Sequence, residues 1–528
     1  MRHFNITFNP DGTSISVSAG ATILEAAEKA GIILNSTCGA KGTCGKCLVI
    51  IEPTGKQVLA CQTAIHEDLT VTIPDDSRFF EQKILADGLD TRIDATVAAK
   101  YLVPGRVEQV FGIAVDIGTT TVVAKLVNMA DGKAIATEAV TNPQIHYGDD
   151  VISRINYAQS DENLAELHRT IIDCINRLIV KLCKKAAVTP QQVYEMCVVG
   201  NTTMNHLFLK LPVTQLGYAP YKAFNLDAKD VPPGQLHLNI NPEGNVHTVE
   251  NIAGFVGADI TAVALAVDIG SAEELTLAVD IGTNGEIVLG TKGKLFAASC
   301  AAGPAFEGAR ISCGSRAVKG AIESVLYNHS DIDVEVIGST RPLSICGSAL
   351  IDAAAVMLDL GIIDSSGRFA DVETLRHKLP PAIISRIIEQ NGNPAFCLAD
   401  AKHAVSKKIA LTQRDIRELQ LAKAAVRAGI TLLQKKIGVS DSDIKHVHLA
   451  GAFGNFIRAE NALRIGLLPD VPIERIHFVG NAACSGAHMI LLSRHFRDQA
   501  RQLARQIEYV EIAHQSEFQS VFADCMAF

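Results

Sequence analysis

A chain of 528 residues is long enough for three or four domains at about 150 residues each. Hydrophobic residues make up 48% and charged residues 20%, so large cores can be buried, while a net charge of −9 lacks the basic footprint that nucleic-acid binding needs. The 13 cysteines form no disulfide framework, the N-terminus has no apolar signal region, and no apolar run approaches a membrane span. These features read as a cytoplasmic protein with reduced thiols.

In chain order, residues 3–8 and 13–18 read as two short strands around the turn Asn9-Pro10-Asp11-Gly12. Thr22-Ile23-Leu24-Glu25 has the form of a capping box and starts a helix to about Ala30, with Ile23, Ala26, Ala27 and Ala30 on one apolar face. A glycine-rich loop then carries Cys38, Cys44 and Cys47, and Cys61 follows after thirteen intervening residues, giving C-x5-C-x2-C-x13-C. Four thiolates are the usual complement of an iron–sulfur cluster, and Gly39, Gly42 and Gly45 let the loop curl around one. A zinc site or a redox CxxC pair is the alternative. Zinc sites usually bring two short cysteine pairs, whereas three plus one favours [2Fe–2S]. Strands at 48–51 and 69–74, with Pro53-Thr54-Gly55 as a turn, complete a first domain over 1–78. This order of hairpin, helix, cysteine loop and strands resembles the β-grasp ferredoxins. Residues 79–108 show no clear period and read as a linker with one helix at 79–87.

The strand Phe111-Gly112-Ile113-Ala114-Val115-Asp116 runs into Ile117-Gly118-Thr119-Thr120, and the hexamer Ala-Val-Asp-Ile-Gly-Thr recurs at Ala278-Val279-Asp280-Ile281-Gly282-Thr283, followed by Asn284-Gly285. Two identical copies mark an internal repeat. A long helix follows each copy: Asp161 to Lys185, with Leu164, Leu167, Ile171, Ile175, Leu178 and Leu182, and Thr412 to Ile437, with Ile416, Leu419, Ala422, Val426, Ile430 and Leu433. Each helix leads to a strand ending in glycine, Gly200 in one copy and Gly451 in the other. The second copy carries an insertion over roughly 295–400. We therefore expect a multidomain α/β protein with the ferredoxin-like domain, the linker, a first half over 109–206 and a C-terminal part over 207–528.

Loops of glycine and threonine can offer backbone N–H groups and hydroxyls to a chain of phosphates. Asp116 and Asp280 at the strand ends can hold Mg²⁺ through its water shell. The turn Gly451-Ala452-Phe453-Gly454 lets a nucleotide approach the backbone. The sequence contains no G-x-x-x-x-G-K-[ST], so this is not a P-loop.

The two phosphate motifs and the later glycine turn resemble the acetate-kinase, sugar-kinase, Hsp70 and actin superfamily of duplicated RNase H-like halves. With the cluster module in front, nearly the whole chain resembles the reductive activators of corrinoid proteins. Further stretches fit that family: Asn142-Pro143-Gln144, Gly200-Asn201-Thr202-Thr203, Gly303-Pro304-Ala305-Phe306-Glu307-Gly308 and Ile345-Cys346-Gly347-Ser348. The resemblance implies ATP with Mg²⁺ bound at Gly118, Thr119, Thr120, Gly282, Thr283, Asn284, Gly285, Gly303, Gly347, Gly451 and Gly454, with Asp116 and Asp280 serving hydrolysis. It also implies a [2Fe–2S] cluster that passes one electron to the Co(II) of a corrinoid protein or corrinoid-dependent methyltransferase and restores Co(I). A homodimer, loaded by an upstream reductase or ferredoxin, is expected on the same ground. A small-molecule kinase with a redox-sensing domain, or a non-catalytic nucleotide-binding electron carrier, would share the fold. His146 and His206 read as structural histidines, and Arg154 and Arg310 as candidates to meet phosphate or a partner's carboxylates.

Overall fold

The computed structural model describes residues 3–10, 12–30, 32, 34, 42, 47–74, 77, 96–97, 110–400, 402–405, 408–451 and 457–528. Cys38, Cys44, Gly454, the expected helix at 79–87 and most of the linker lie outside these residues.

The N-terminal domain is a five-stranded sheet in the order Thr13–Ser18, His3–Asn9, Leu69–Thr72, Leu48–Glu52, Lys56–Leu59. The parallel pair His3–Asn9 and Leu69–Thr72 lies inside antiparallel neighbours, the β-grasp arrangement. Gly12 closes the first hairpin at φ +67°, donating to the Phe8 carbonyl at 2.8 Å. Thr22 and Glu25 form the reciprocal cap, with the Thr22 N–H donating to Glu25 Oε2 at 2.7 Å and the Glu25 N–H to Thr22 Oγ1 at 3.2 Å. The helix Ile23–Lys29 then buries Ile23, Ala26 and Ala27 over Ile6, Phe8, Val49 and Val71.

The repeat becomes two six-stranded sheets of matching plan. The first runs Lys229–Val231, Asn245–Thr248, Val193–Gly200, Phe111–Ile117, Thr121–Asn128, Ala134–Thr141. The second runs Ile476–Gly480, His446–Ala450, Thr276–Ile281, Gly285–Thr291, Lys294–Cys300, Ile507–Tyr509. In both, the strand ending in Asp-Ile pairs antiparallel with the next strand and parallel with the one that follows the long helix. Both faces of these strands are covered, so they read as apolar runs without alternation.

The long helices are Asp161–Ala186 and Gln413–Ile437. The apolar positions expected to face the core are buried in both, apart from a half-buried Ile437. Left-handed residues end them, Ala187 at φ 54° and Gly438 at φ 73°, and capping boxes at Thr189 and Ser440 follow at equivalent points. The halves meet through Ala258–Ala266 and Ala482–Leu492. The two backbones come so close that a Cβ on Gly486 would strike the Ala262 carbonyl, and Ala258, Ala262, Ala482, Ala483 and Ala487 are buried in the same core.

Three boundaries differ from the sequence expectation. The first half continues past residue 206, because strands up to Thr248 belong to its sheet. The insertion starts after Cys300, since Lys294–Cys300 pairs with Gly285–Thr291 as a core strand. It builds two three-stranded sheets and the helix Gly347–Asp359. Within the linker, Val97 is fully buried, its N–H donates to the Leu492 carbonyl at 2.8 Å, and Thr96 Oγ1 accepts from the Arg494 N–H at 2.9 Å. The linker is thus anchored to the C-terminal part shortly before the first repeat strand.

One buried ion pair crosses between the halves. Arg497 reaches Glu195 Oε1 at 2.7 Å, and Glu195, on the strand Val193–Gly200, is wholly inaccessible. Arg497→Ala removes the charged partner of a buried carboxylate, which costs about 3 kcal/mol or more. A drop of several degrees in the thermal midpoint is the expected result, and an unchanged midpoint would show that the pair is dispensable.

Candidate nucleotide cleft and cluster loop

Each Asp-Ile strand delivers its aspartate to the same place. A cleft between the halves, with about 1140 Å³ of open space including its mouth, is lined by Asp116, Gly118, Thr119 and Thr120 from the first loop and by Asp280, Gly282, Thr283 and Asn284 from the second. Gly451 joins them.

The first loop is held from behind. The Gly118 N–H donates to the Thr121 carbonyl at 2.9 Å, and a Cβ at 118 would sit 2.7 Å from that oxygen. Asn142 Nδ2 donates to the Gly118 carbonyl at 2.9 Å, and Asn201 Nδ2 donates to Thr119 Oγ1 at 2.9 Å. Arg154 is fully buried and donates to the carbonyls of Thr119 at 2.5 Å and Gly148 at 2.9 Å. Burial lowers its pKa to about 9, with the nearby Arg316 adding to the effect and Asp150 opposing it. Arg154 therefore shapes the loop and is buried away from any phosphate, while Arg310 is exposed. His206 is likewise structural, with Nδ1 2.7 Å from the Thr202 carbonyl and Nε2 accepting from the Asn225 N–H at 3.2 Å.

The second loop depends on Gly451. Its φ is +97°, and a Cβ there would lie 2.6 Å from both Asp280 Oδ1 and the Ile281 carbonyl. A side chain at 451 would thus push into the aspartate that the cleft presents.

The cleft floor is acidic. Burial raises the Asp116 carboxyl to about 7, helped by the charge of Asp280 and opposed by a hydrogen bond that Asn481 Nδ2 donates to Asp116 Oδ2 at 3.1 Å. Burial raises Asp280 to about 6. Asp259 and Glu286 also line the cleft and are pushed well upward, by burial first and then by neighbouring carboxylates. Crowded, desolvated carboxylates lack a counter-charge that a hydrated divalent cation supplies. Hydroxyls and loop N–H groups beside them suit phosphate oxygens, so the residues present fit Mg²⁺ with a nucleotide.

Glu307 bridges the loops. Its carboxylate accepts from the Thr120 hydroxyl, at 3.0 and 3.2 Å to its two oxygens, and from the Thr283 hydroxyl through a short bond. Arg316 Nε stands 3.6 Å away.

Three glycines expected at the nucleotide do not line the cleft. Gly285 lies inside a strand, where a Cβ would press on Cys300 Sγ at 2.8 Å and Val426 Cγ2 at 2.9 Å, so its role is close packing of the long helix. Gly303 opens the turn that ends in Glu307, and Gly347 begins a helix between Cys346 and Ser348, which do reach the cleft. Cys300 Sγ is 2.9 Å from the Gly285 carbonyl and is a packed thiol. Asp259, Arg316 and Asn481 are cleft residues that the sequence did not single out, and Asn201 and Glu307 stood only inside the family-like stretches. Gly480-Asn481 carries the same dipeptide as Gly200-Asn201 at the end of a strand.

In the N-terminal domain, Cys47 and Cys61 are both buried in its core cluster. The Ala60 N–H donates to the Cys47 carbonyl at 2.9 Å, which holds the two cysteine segments side by side. Gly42 takes φ +74°, and a Cβ on it would meet the Gln62 side chain at 2.9 Å, so Gly42 packs against the Cys61 segment. Gln62 Nε2 lies 3.5 Å from Cys61 Sγ, a donor of the kind that surrounds cluster sulfurs. These two described cysteines fit a cluster site.

Family models match the chain in three consecutive pieces. A 2Fe-2S iron-sulfur cluster binding domain matches residues 6–66, the RACo middle region 111–272, and the C-terminal domain of RACo, the ASKHA domain, 274–528. The corrinoid activation enzyme RamQ of Eubacterium limosum is 33% identical over 96% of this chain and 95% of its own length. The [Co(II) methylated amine-specific corrinoid protein] reductase of Methanosarcina barkeri is 25% identical over 75% of this chain and 73% of its own. The solved structure of a reductive activator for corrinoid, iron-sulfur protein superposes with a TM-score of 0.72 at 32% identity, covering 99% of this chain and 98% of that one. With its ferredoxin-like domain, its duplicated actin-like halves and a relative matched from end to end, the chain belongs to the family of reductive activators of corrinoid proteins.

Proposed function

We propose that this protein restores an oxidised corrinoid partner to its active state, delivering one electron to Co(II) to give Co(I), with ATP and Mg²⁺ bound in the cleft between the halves. The observation that carries the reading is the convergence of both Asp-Ile-Gly-Thr loops on one acidic cleft, in a chain that also holds a four-cysteine ferredoxin-like domain. Reduction of Co(II) in the presence of ATP, followed by the visible spectrum of the corrinoid protein, tests it. ATP-independent reduction at full rate, or a phosphorylated small-molecule product, would overturn it.

The roles divide by residue. Cys38, Cys44, Cys47 and Cys61 hold the [2Fe–2S] cluster, which supplies the one-electron capacity when bound. Thr119, Thr120, Thr283 and Asn284 present hydroxyl, amide and backbone donors to the phosphates. Asp116 and Asp280 hold the hydrated Mg²⁺, and Asn481 orients Asp116. The glycine turn opening at Gly451 gives the nucleotide access to the backbone, and Gly454 is assigned to the same turn. The electron transfer is uphill, and each 59 mV costs about 1.4 kcal/mol for one electron, so a modest gap lies within what conformational work can provide. The partner is a corrinoid protein or corrinoid-dependent methyltransferase. An upstream reductase or ferredoxin reloads the N-terminal domain, and the working unit in the cytoplasm is a homodimer, for which sedimentation at two protein concentrations is the check.

Cys47→Ala should abolish the visible absorption and the reduced-state paramagnetic signal, and metal analysis should return iron. A native spectrum in the variant, or zinc in the wild type, would refute the cluster assignment.

Asp116→Ala and Asp280→Ala should each slow ATP turnover on the order of 10²-fold, the usual cost of losing one group that stabilises developing charge. The cluster spectrum should stay intact. Wild-type turnover in both variants would move the nucleotide elsewhere.

ATP and the Co(II) partner should change each other's affinity by the same factor, because coupling between binding equilibria is reciprocal. Paired titrations measure the shared factor, and an absent shift would exclude work through the partner-binding state.

A further inference from the structure

The two loops that face the nucleotide are already joined by an anion of the chain's own. Glu307 ends the turn Pro304–Glu307 and is 8% exposed. Its carboxylate is the common acceptor for the hydroxyls of Thr120, in the first half, and Thr283, in the second. The two hydroxyl oxygens lie 3.0 Å apart, and Arg316 Nε completes the surroundings at 3.6 Å. A threonine hydroxyl has one proton to give, and both protons point to Glu307. Phosphate oxygens need donors, so a phosphate chain entering this cleft must take the protons that the carboxylate now holds. Carboxylate and phosphate are also both anions, and at contact distance in a desolvated cleft they repel strongly.

We propose that Glu307 is an internal phosphate surrogate. It clasps the two halves together through Thr120 and Thr283 while the cleft lacks nucleotide, and the phosphates of a nucleoside triphosphate displace it and inherit Thr120, Thr283 and Arg316. This rests on the assignment of ATP to the cleft. The clasp makes part of the binding energy of ATP go into releasing Glu307, so nucleotide occupancy is converted into a movement of the turn that carries it. That turn lies between Gly303 at φ +76° and Gly308 at φ +72°. It passes directly into the insertion, where the Ser315 N–H donates to the Ile345 carbonyl at 2.9 Å.

Calorimetric titration of the full-length, cluster-loaded protein with a non-hydrolysable ATP analogue and Mg²⁺ tests the proposal. Glu307→Ala removes the competitor and should bind the analogue on the order of tenfold more tightly. Glu307→Gln, nearly isosteric and uncharged, should bind a few-fold more tightly, and serves if the alanine variant does not fold. An intact visible spectrum and a cooperative thermal transition establish folding. Unchanged or weaker binding in a folded variant would overturn the surrogate role and make Glu307 a group that helps hold the nucleotide. Wild-type protein that binds no analogue would instead overturn the nucleotide assignment, and this proposal with it.

Discussion

Asp116 and Asp280 face one cleft from two halves of the chain, and neither carboxylate can ionise there without cost. The rest of the C-terminal architecture follows from meeting that cost. A strand buried on both faces is needed to carry each aspartate to the interface, and its burial is what raises the carboxyl. Asp259 and Glu286 deepen the deficit of positive charge. Such a site is suited to a divalent cation that supplies the missing positive charge.

The clasp between the halves and the tether of the cluster domain set the mechanical frame. The halves share a close helix pair, Ala258–Ala266 with Ala482–Leu492, packed through alanine and glycine, and helices in such contact have little room to slide. Motion between the halves is therefore better suited to a rotation about this pair than to separation. At the far end of the second helix of the pair, Leu492 receives the Val97 N–H, and Arg494 donates to Thr96. The chain segment leading from the cluster domain is thus pinned to the element about which the halves pivot. The linker of 30 residues that the lack of periodicity over 79–108 suggested is interrupted by that anchor at Thr96 and Val97.

Legibility in the sequence tracks how local the causes are. The duplicated hexamer and the two amphipathic helices are determined by neighbours a few residues apart, and they stand where expected. Gly451 was legible because a strand-ending glycine before a turn has few other reasons to exist, and its contact with Asp280 supplies the reason. Gly285 misled because the hexamer continues smoothly into it, and a glycine after a phosphate-type loop looks like more loop. Only the packed long helix, far away in sequence, shows that it is a strand residue making room for Val426. The first half appeared to end at 206 because its outer strands, Lys229–Val231 at the sheet edge and Asn245–Thr248 beside it, are short and mostly polar and so show no apolar run. Val97 could not announce an anchor, since one apolar residue has no period.

Asp259, Asn481 and Arg316 were missed for a further reason, and it bears on how the cleft works. Asp259 and Asn481 occupy equivalent places at the starts of the two helices that hold the halves together. Asn481 caps its own helix through the Cys484 N–H at 2.8 Å and, with the same amide group, reaches across to Asp116 at 3.1 Å. One side chain thus ties the start of the helix Ala482–Leu492 to Asp116 of the first half. The opposite end of the same helix holds the linker through Leu492. The chain of contacts from Asp116 through Asn481 and the helix Ala482–Leu492 to Val97 is continuous and made of packed or hydrogen-bonded groups. It gives the nucleotide a physical route toward the cluster domain that the sequence, read as two modules on a loose string, did not contain.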